Sequence, residues 1–170
     1  PCLEFPRMVK AGDSVLLDNG LLQLRVLSVE KTGVRCRVLR GGLLRENKGI
    51  NLPHAPATLP SLTKKDLADL AVAAGQQVDY IALSFVRNES DVLALKSWLR
   101  RRSMDIPVIA KIEKPSAVRQ IRSVLAAADG IMVARGDLGI EMGGEKVPAA
   151  QKRLSEEAHR AEVPVITATE

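Results

Sequence analysis

Four apolar runs that each close on a polar residue recur after Ser61, and their spacing constrains the fold more than any other feature of the sequence. Their polar ends fall at Ser84, Lys111, Arg135 and Thr169, in steps of 27, 24 and 34 residues. Helical patterns lie before and between them, the first with Ser61 and Thr63 as N-cap candidates, Leu67 and Leu70 at helical spacing and a Gly75 stop. The others span about 89–101, 116–127 and 149–161. The step is near one β/α unit of an eightfold barrel, in which about 250 residues are shared over eight units. Four units make half of such a barrel. Right-handed crossovers place all four strand ends on one face, where Lys111, Glu113, Arg135, Asp137 and Thr169 can converge.

The first part of the chain follows a different pattern. Ser14–Leu17, Leu21–Val29 and Val34–Leu39 read as strands, and Asp18-Asn19-Gly20 between the first two is a hairpin signal, because Asn and Gly tolerate the positive φ of tight turns. Gly41-Gly42 and Arg45–Lys48 end this region, and a Pro-rich connection follows from Leu52 to Pro60. The expected fold is therefore α/β: a partial TIM (β/α)8-type barrel of about four β/α units over residues 49–170, with part of a small antiparallel β lobe over residues 1–48.

Composition narrows the function classes. At 46% hydrophobic over 170 residues the chain has material for a core. No window approaches the run of about 18 apolar residues that spans a membrane, so a soluble, cytoplasmic protein without a membrane partner is expected. A net charge of +5 raises nucleic acid as a partner, but only 2% of residues are aromatic, and the densest basic run, Arg100-Arg101-Arg102, closes a helix where cations complement the dipole. No nucleic acid is expected. Cys2 and Cys36 show neither CxxC spacing nor a nearby His partner. His54 in the Pro-rich connection and His159 beside Arg160 read as surface histidines. The first residue is Pro1 and the last, Glu170, falls just after an apolar strand, which suggests a piece of a longer chain.

The chemistry concentrates at the strand ends. In Lys111-Ile112-Glu113 alternate residues share a face, so a cation and a carboxylate stand together. With Asp137, Glu113 supplies two oxygen ligands of the kind that hold Mg²⁺ alongside water and substrate oxygens. A plain ion pair between Lys111 and one carboxylate fits the same residues. Gly136-Asp137-Leu138-Gly139 reads as the entry to a short helix whose free N–H groups can take an anion, or as a turn that needs glycine geometry. Thr169 puts a hydroxyl at a strand end, though threonine is also common in strands. Asp18 and Lys48 read as a turn aspartate and a solvated lysine of the β lobe.

Taken together, these segments resemble the pyruvate kinase family. Asp129–Glu141, with its Met-Val-Ala-Arg-Gly-Asp-Leu-Gly core, is similar to that family's signature, and Ala110–Pro115 to the segment that carries its catalytic lysine. Lys48–Pro53 resembles the hinge returning from the mobile β lobe, Ser84–Arg87 the following barrel strand, and Val165–Thr169 the strand with the active-site threonine. The resemblance implies transfer of the phosphoryl group of phosphoenolpyruvate to ADP, giving pyruvate and ATP in glycolysis. Glu113 and Asp137 would hold Mg²⁺ or Mn²⁺, and Lys111 would stabilise charge on the moving phosphoryl group. Backbone amides at Gly136 and Asp137 would bind the substrate carboxylate, and Thr169 would contact substrate near the proton-transfer path. Lys48 and Asp18 would belong to a lid over the nucleotide phosphates. The family also implies K⁺, whose ligands have no counterpart in this sequence, and a homo-oligomer, commonly a tetramer.

Some positions depart from the family. Glu170 follows Thr169 where Gln is usual, Glu162 stands where Gly is usual, and Met142-Gly143-Gly144 lacks the common Pro. The earlier barrel strands, with an Arg for the phosphoryl group, are missing, as are the final strand and a C-terminal regulatory domain, so the isolated chain is expected to be inactive. Two other readings share the residues: a metal-dependent aldolase or lyase on a related pyruvate-binding barrel, and a non-catalytic interaction fragment.

Overall fold

A computed structural model of the chain describes residues 5–53 and 62–168. The polypeptide divides into two compact units, residues 1–59 and 60–170. The first unit opens with a short helix α1 (Phe5–Met8) and then builds a sheet from β1 (Ser14–Leu17), β2 (Leu22–Glu30), β3 (Gly33–Arg40) and β4 (Ile50–Asn51). Its order is β3-β2-β1-β4, antiparallel throughout. The Asp18-Asn19-Gly20 turn takes φ of 50°, 55° and 82°, the left-handed geometry for which those residue types are suited. Val15 and Val26, each 1% exposed, anchor the buried side of this sheet. The two-residue strand β4 is an addition to the strands expected from sequence, since two residues carry no periodicity to recognise.

The second unit is a parallel sheet with helices. It begins with α2 (Lys64–Ala74), where Thr63 and Asp66 form a reciprocal capping box. There follow β5 (Ile81–Leu83), α3 (Glu89–Arg100), β6 (Val108–Ile112), α4 (Pro115–Arg119), α5 (Ile121–Ala127) and β7 (Gly130–Ala134). The chain continues through α6 (Arg135–Met142), a 3₁₀ turn at Gly144–Lys146, α7 (Val147–Arg160) and β8 (Val165–Ala168). The strands lie side by side in chain order, β5-β6-β7-β8, all parallel, as expected of successive β/α units. The pattern expected as one helix over 116–127 is two, because Gln120 leaves helical geometry at φ −101°, ψ 25°.

Alternation along the strands gives the sheet two unlike faces. Ile81, Leu83, Val108, Ala110, Ile112, Ile131 and Val133 are buried and form the core with Val92, Leu95 and Leu99 of α3, Ile121 and Val124 of α5, and Leu154 and Ala158 of α7. The residues between them face the other way: Ala82 and Ile166 are exposed, and Ile109, Lys111 and Met132 are half-buried. The hydrophobic contribution therefore comes mainly from the helix side.

Polar contacts fix the loops that lead into the strands. Asp129 accepts from the Val108 N–H at 2.8 Å and from Lys96 Nζ at 2.7 Å, tying the β6 and β7 entries to α3. Burial pushes this carboxyl up, but the Lys96 and Val108 hydrogen bonds and the Lys96 charge outweigh it and hold it below the usual aspartate range. Before β8, α7 closes in a Schellman motif, with Glu162 N–H donating to His159 O and Val163 N–H to Ala158 O. Glu162 is the left-handed residue of that motif, at φ 57°. This is the position at which the resemblance led us to expect glycine.

Two expectations follow. Glu162→Gly removes a left-handed non-glycine residue and raises stability by about 1 kcal/mol in urea unfolding; a loss of stability would show that the glutamate makes an offsetting contact. A depressed carboxylate stabilises the fold above its ordinary pKa, and that contribution disappears as pH falls through the folded value. The stability gap between wild type and Asp129→Ala should therefore narrow below about pH 4, and a gap unchanged at pH 3 would rule out the ionised bridge as its source.

Candidate active site

The carboxyl ends of β5, β6 and β7 bring together most of the polar residues singled out from sequence. By the register of β6 with β7, Lys111 stands beside Met132 and Ile112 beside Val133, so Glu113 comes level with Ala134, the residue before α6. Lys111 and Glu113 share the face opposite the helix-packed core, as two-residue spacing requires. Lys111 Nζ lies 2.6 Å from Glu113 Oε1 and donates to Ser84 Oγ at 3.2 Å. The other carboxylate oxygen, Oε2, accepts from the Phe85 N–H at 2.7 Å. Glu113 is 1% exposed, a charge removed from water and compensated by a cation and a backbone dipole.

Phe85 presents its N–H this way from an unusual backbone. Its φ is 55°, rare for a bulky residue, while its ring is exposed and lies 5.6 Å from Lys114 Nζ. A backbone held in this region marks a place where surrounding contacts over-determine the geometry.

Helix α6 follows β7 with no intervening loop, and this is the short helix expected from Gly136-Asp137-Leu138-Gly139. Gly136 and Asp137 lie in its first turn, both half-buried, among the N–H groups that have no partner within a helix. Ala134 gives the helix no side-chain cap. Arg135 reaches across to β8, donating from Nε to Ala168 O at 2.9 Å. The far end closes at Gly143, whose φ of 94° suits glycine and where a Cβ would stand 2.6 Å from the Glu145 carboxylate.

The remaining sequence candidates fall elsewhere. In the first unit Lys48 Nζ pairs with Asp18 Oδ1 at 3.0 Å, and Asp18 N–H donates to Gly49 O, so the turn aspartate and the lysine are partners. Thr169, His54, Cys2 and Glu170 lie outside the described residues. His159 is exposed in the last turn of α7. The basic run expected at a helix end is there: Arg101 caps α3, and Arg102 stacks 3.9 Å from the Trp98 ring centre. Among the described residues no group of three or more His, Cys, Asp or Glu side chains is arranged to hold a metal, and no helix is long and apolar enough to cross a membrane.

Sequence reasoning missed the environment of Glu141. This α6 residue is a buried carboxylate joined to Lys114 Nζ, 27 positions earlier. A Glu four residues after Asp137 shares its helical face, which is the only local signal that could have found it.

Comparison with known proteins agrees with this architecture. Residues 3–170 match the family described as the pyruvate kinase barrel domain. The chain is 47% identical over 167 residues to a pyruvate kinase of Thermococcus litoralis, covering 98% of the chain and 35% of that protein. It is 44% identical over 164 residues to pyruvate kinase 2 of a Synechocystis strain, covering 95% and 28%, and 40% identical over 168 residues to a pyruvate kinase of Clostridium perfringens, covering 98% and 35%. It thus spans about a third of the length of these relatives.

Replacing Glu113 with Ala leaves the Phe85 N–H without its acceptor and Lys111 with Ser84 Oγ but no carboxylate, and lowers stability by about 2–3 kcal/mol. Chemical denaturation checks this, and an unchanged midpoint would mean that solvent replaces the carboxylate without loss.

Proposed function

The chain belongs to the pyruvate kinase family, and from that membership we propose that it is a segment of an enzyme that moves the phosphoryl group of phosphoenolpyruvate to ADP, giving pyruvate and ATP. The observation that supports this reading most directly is the Lys111–Glu113 pair at 2.6 Å at the carboxyl end of β6, one strand from the α6 turn that bears Gly136 and Asp137. Phosphoryl transfer depends mostly on positioning and charge stabilisation, which fixed cations, carboxylates and amide dipoles can supply.

Each residue has a role in the proposal. Lys111 directs one N–H toward Glu113 and another toward Ser84, so its third donor remains for an oxygen of the transferring group. The first-turn amides of α6 at Gly136 and Asp137 face a substrate carboxylate with the positive end of the helix dipole. Thr169 contacts the substrate near the path of the proton that converts enolate to pyruvate. Lys48 and Asp18 are assigned to the nucleotide phosphates, with residues 1–48 as part of the lobe and 49–170 as part of the barrel domain.

Glu113 and Asp137 are the residues that would hold Mg²⁺ or Mn²⁺. Their hard carboxylate oxygens suit either ion, and each Glu113 oxygen meets one protein donor, leaving acceptor capacity for a second partner. When bound, the ion would supply electrostatic neutralisation at the enolate and phosphoryl oxygens. Potassium dependence, a cytoplasmic location and assembly into a homo-oligomer complete the proposal for the whole protein.

Pyruvate formation from phosphoenolpyruvate with ADP and Mg²⁺ tests it. In the protein that carries these residues within a complete barrel, Lys111→Ala or Asp137→Ala lowers kcat by about 10²-fold or more, and unchanged turnover in both variants would overturn the assignment. The isolated 170 residues are expected to be inactive, and ADP-dependent turnover by the purified monomer would contradict that expectation.

A further inference from the structure

Lys114 and Glu141 have no role in the chemistry just described, yet they join the two elements on which that chemistry would depend. Glu141 lies near the end of α6, its side chain 2% exposed, and its carboxylate Oε1 takes Lys114 Nζ as partner. Asp137 stands four residues earlier on the same helical face. Lys114 directly follows Glu113, so the pair ties the residue next to one proposed ligand to the helix that bears the other.

The local backbone makes this tie stiff. Lys114 is extended at φ −116°, ψ 140°, and Pro115 after it disfavours the helical alternative. In an extended chain consecutive side chains point to opposite sides, so Glu113 and Lys114 diverge from one backbone: one toward Lys111 and Phe85, the other toward Glu141. Phe85 touches both branches, its N–H on Glu113 and its ring near Lys114 Nζ. Helix α6 is held at its start by the direct join to β7 and by Arg135 on β8. Its later turn has the Lys114 pair as its tie to β6.

We propose that the Lys114–Glu141 ion pair is a positioning latch that fixes α6 against the end of β6 and so sets the spacing between Glu113 and the first turn of the helix. Neither residue is catalytic. The latch acts through Glu113 and Asp137, and its link to ion binding rests on the reading of those two carboxylates as holding a divalent cation.

Two measurements on the 170-residue chain separate the latch from that reading. In the metal-free chain, amide hydrogen exchange across α6 accelerates at least tenfold in Lys114→Met and in Glu141→Gln, the double variant is no faster than either single one, and Lys114→Arg keeps the slow exchange. Unchanged exchange in both single variants, or effects that simply multiply in the double variant, would overturn the latch whatever the metal data show. Mn²⁺ titration followed by its electron paramagnetic resonance signal then reads the consequence. Both single variants weaken Mn²⁺ binding about tenfold at a temperature where all remain folded, and Lys114→Arg binds as wild type does. Loss of α6 protection with unaltered Mn²⁺ binding would overturn the positioning role. If Glu113→Gln and Asp137→Asn leave Mn²⁺ binding intact, the metal assignment fails instead, and the exchange data decide the latch by themselves.

Discussion

A carboxylate with 1% exposure must be held by its neighbours, and the way Glu113 is held organises this end of the parallel sheet. Its two oxygens point to two different elements: one to Lys111 on its own strand, the other to the backbone after β5. The second contact is available because Phe85 adopts a left-handed backbone, a conformation that neighbouring contacts must support. Ser84, Phe85, Lys111 and Glu113 thus form one connected network across two strands. The conformational restriction in this network favours order, which is what the proposed role in charge stabilisation without reorganisation would need.

The helix side of the sheet supplies the stability that this arrangement draws on. Ile112, between Lys111 and Glu113 in sequence, is fully buried among the core residues, so the strand that carries the two charged groups is anchored through its other face. Registers between β6, β7 and β8 carry that anchoring to Ala134 and Ala168, next to α6 and the end of β8. Packing therefore sets where the polar strand ends stand, and the ion pairs join the groups that it brings close.

Much of this was legible in the sequence. The apolar runs around Ile81, Val108, Gly130 and Val165 marked the strands, Asp18-Asn19-Gly20 marked the hairpin, and the alternation in Lys111-Ile112-Glu113 placed both charges on one face. What escaped was non-local or too short to have a period. Strand β4 has two residues, and its place beside β1 comes from backbone pairing. Gln120 interrupts a helical pattern without a Gly or Pro to announce it. The Phe85 contact depends on a torsion angle, and the pairing of Glu141, the last residue of the signature-like segment, with Lys114 appears only once the fold brings them together. Of the proposed site, the residue types and the Lys111–Glu113 ion pair were readable; the tethers to Phe85 and between Lys114 and Glu141 were not.

The two faces of the parallel sheet also separate what a substitution can disturb. Residues at odd positions of β6, such as Ile109 and Lys111, look away from the helices, whereas Val108, Ala110 and Ile112 look into them. Changes of side-chain size on the helix side act on the packing that sets the strand ends, whereas on the other side Lys111 and Glu113 are tied into the fold by partners of their own. A lineage carrying this sheet can therefore drift most freely at outward positions outside that network, such as the exposed Ala82.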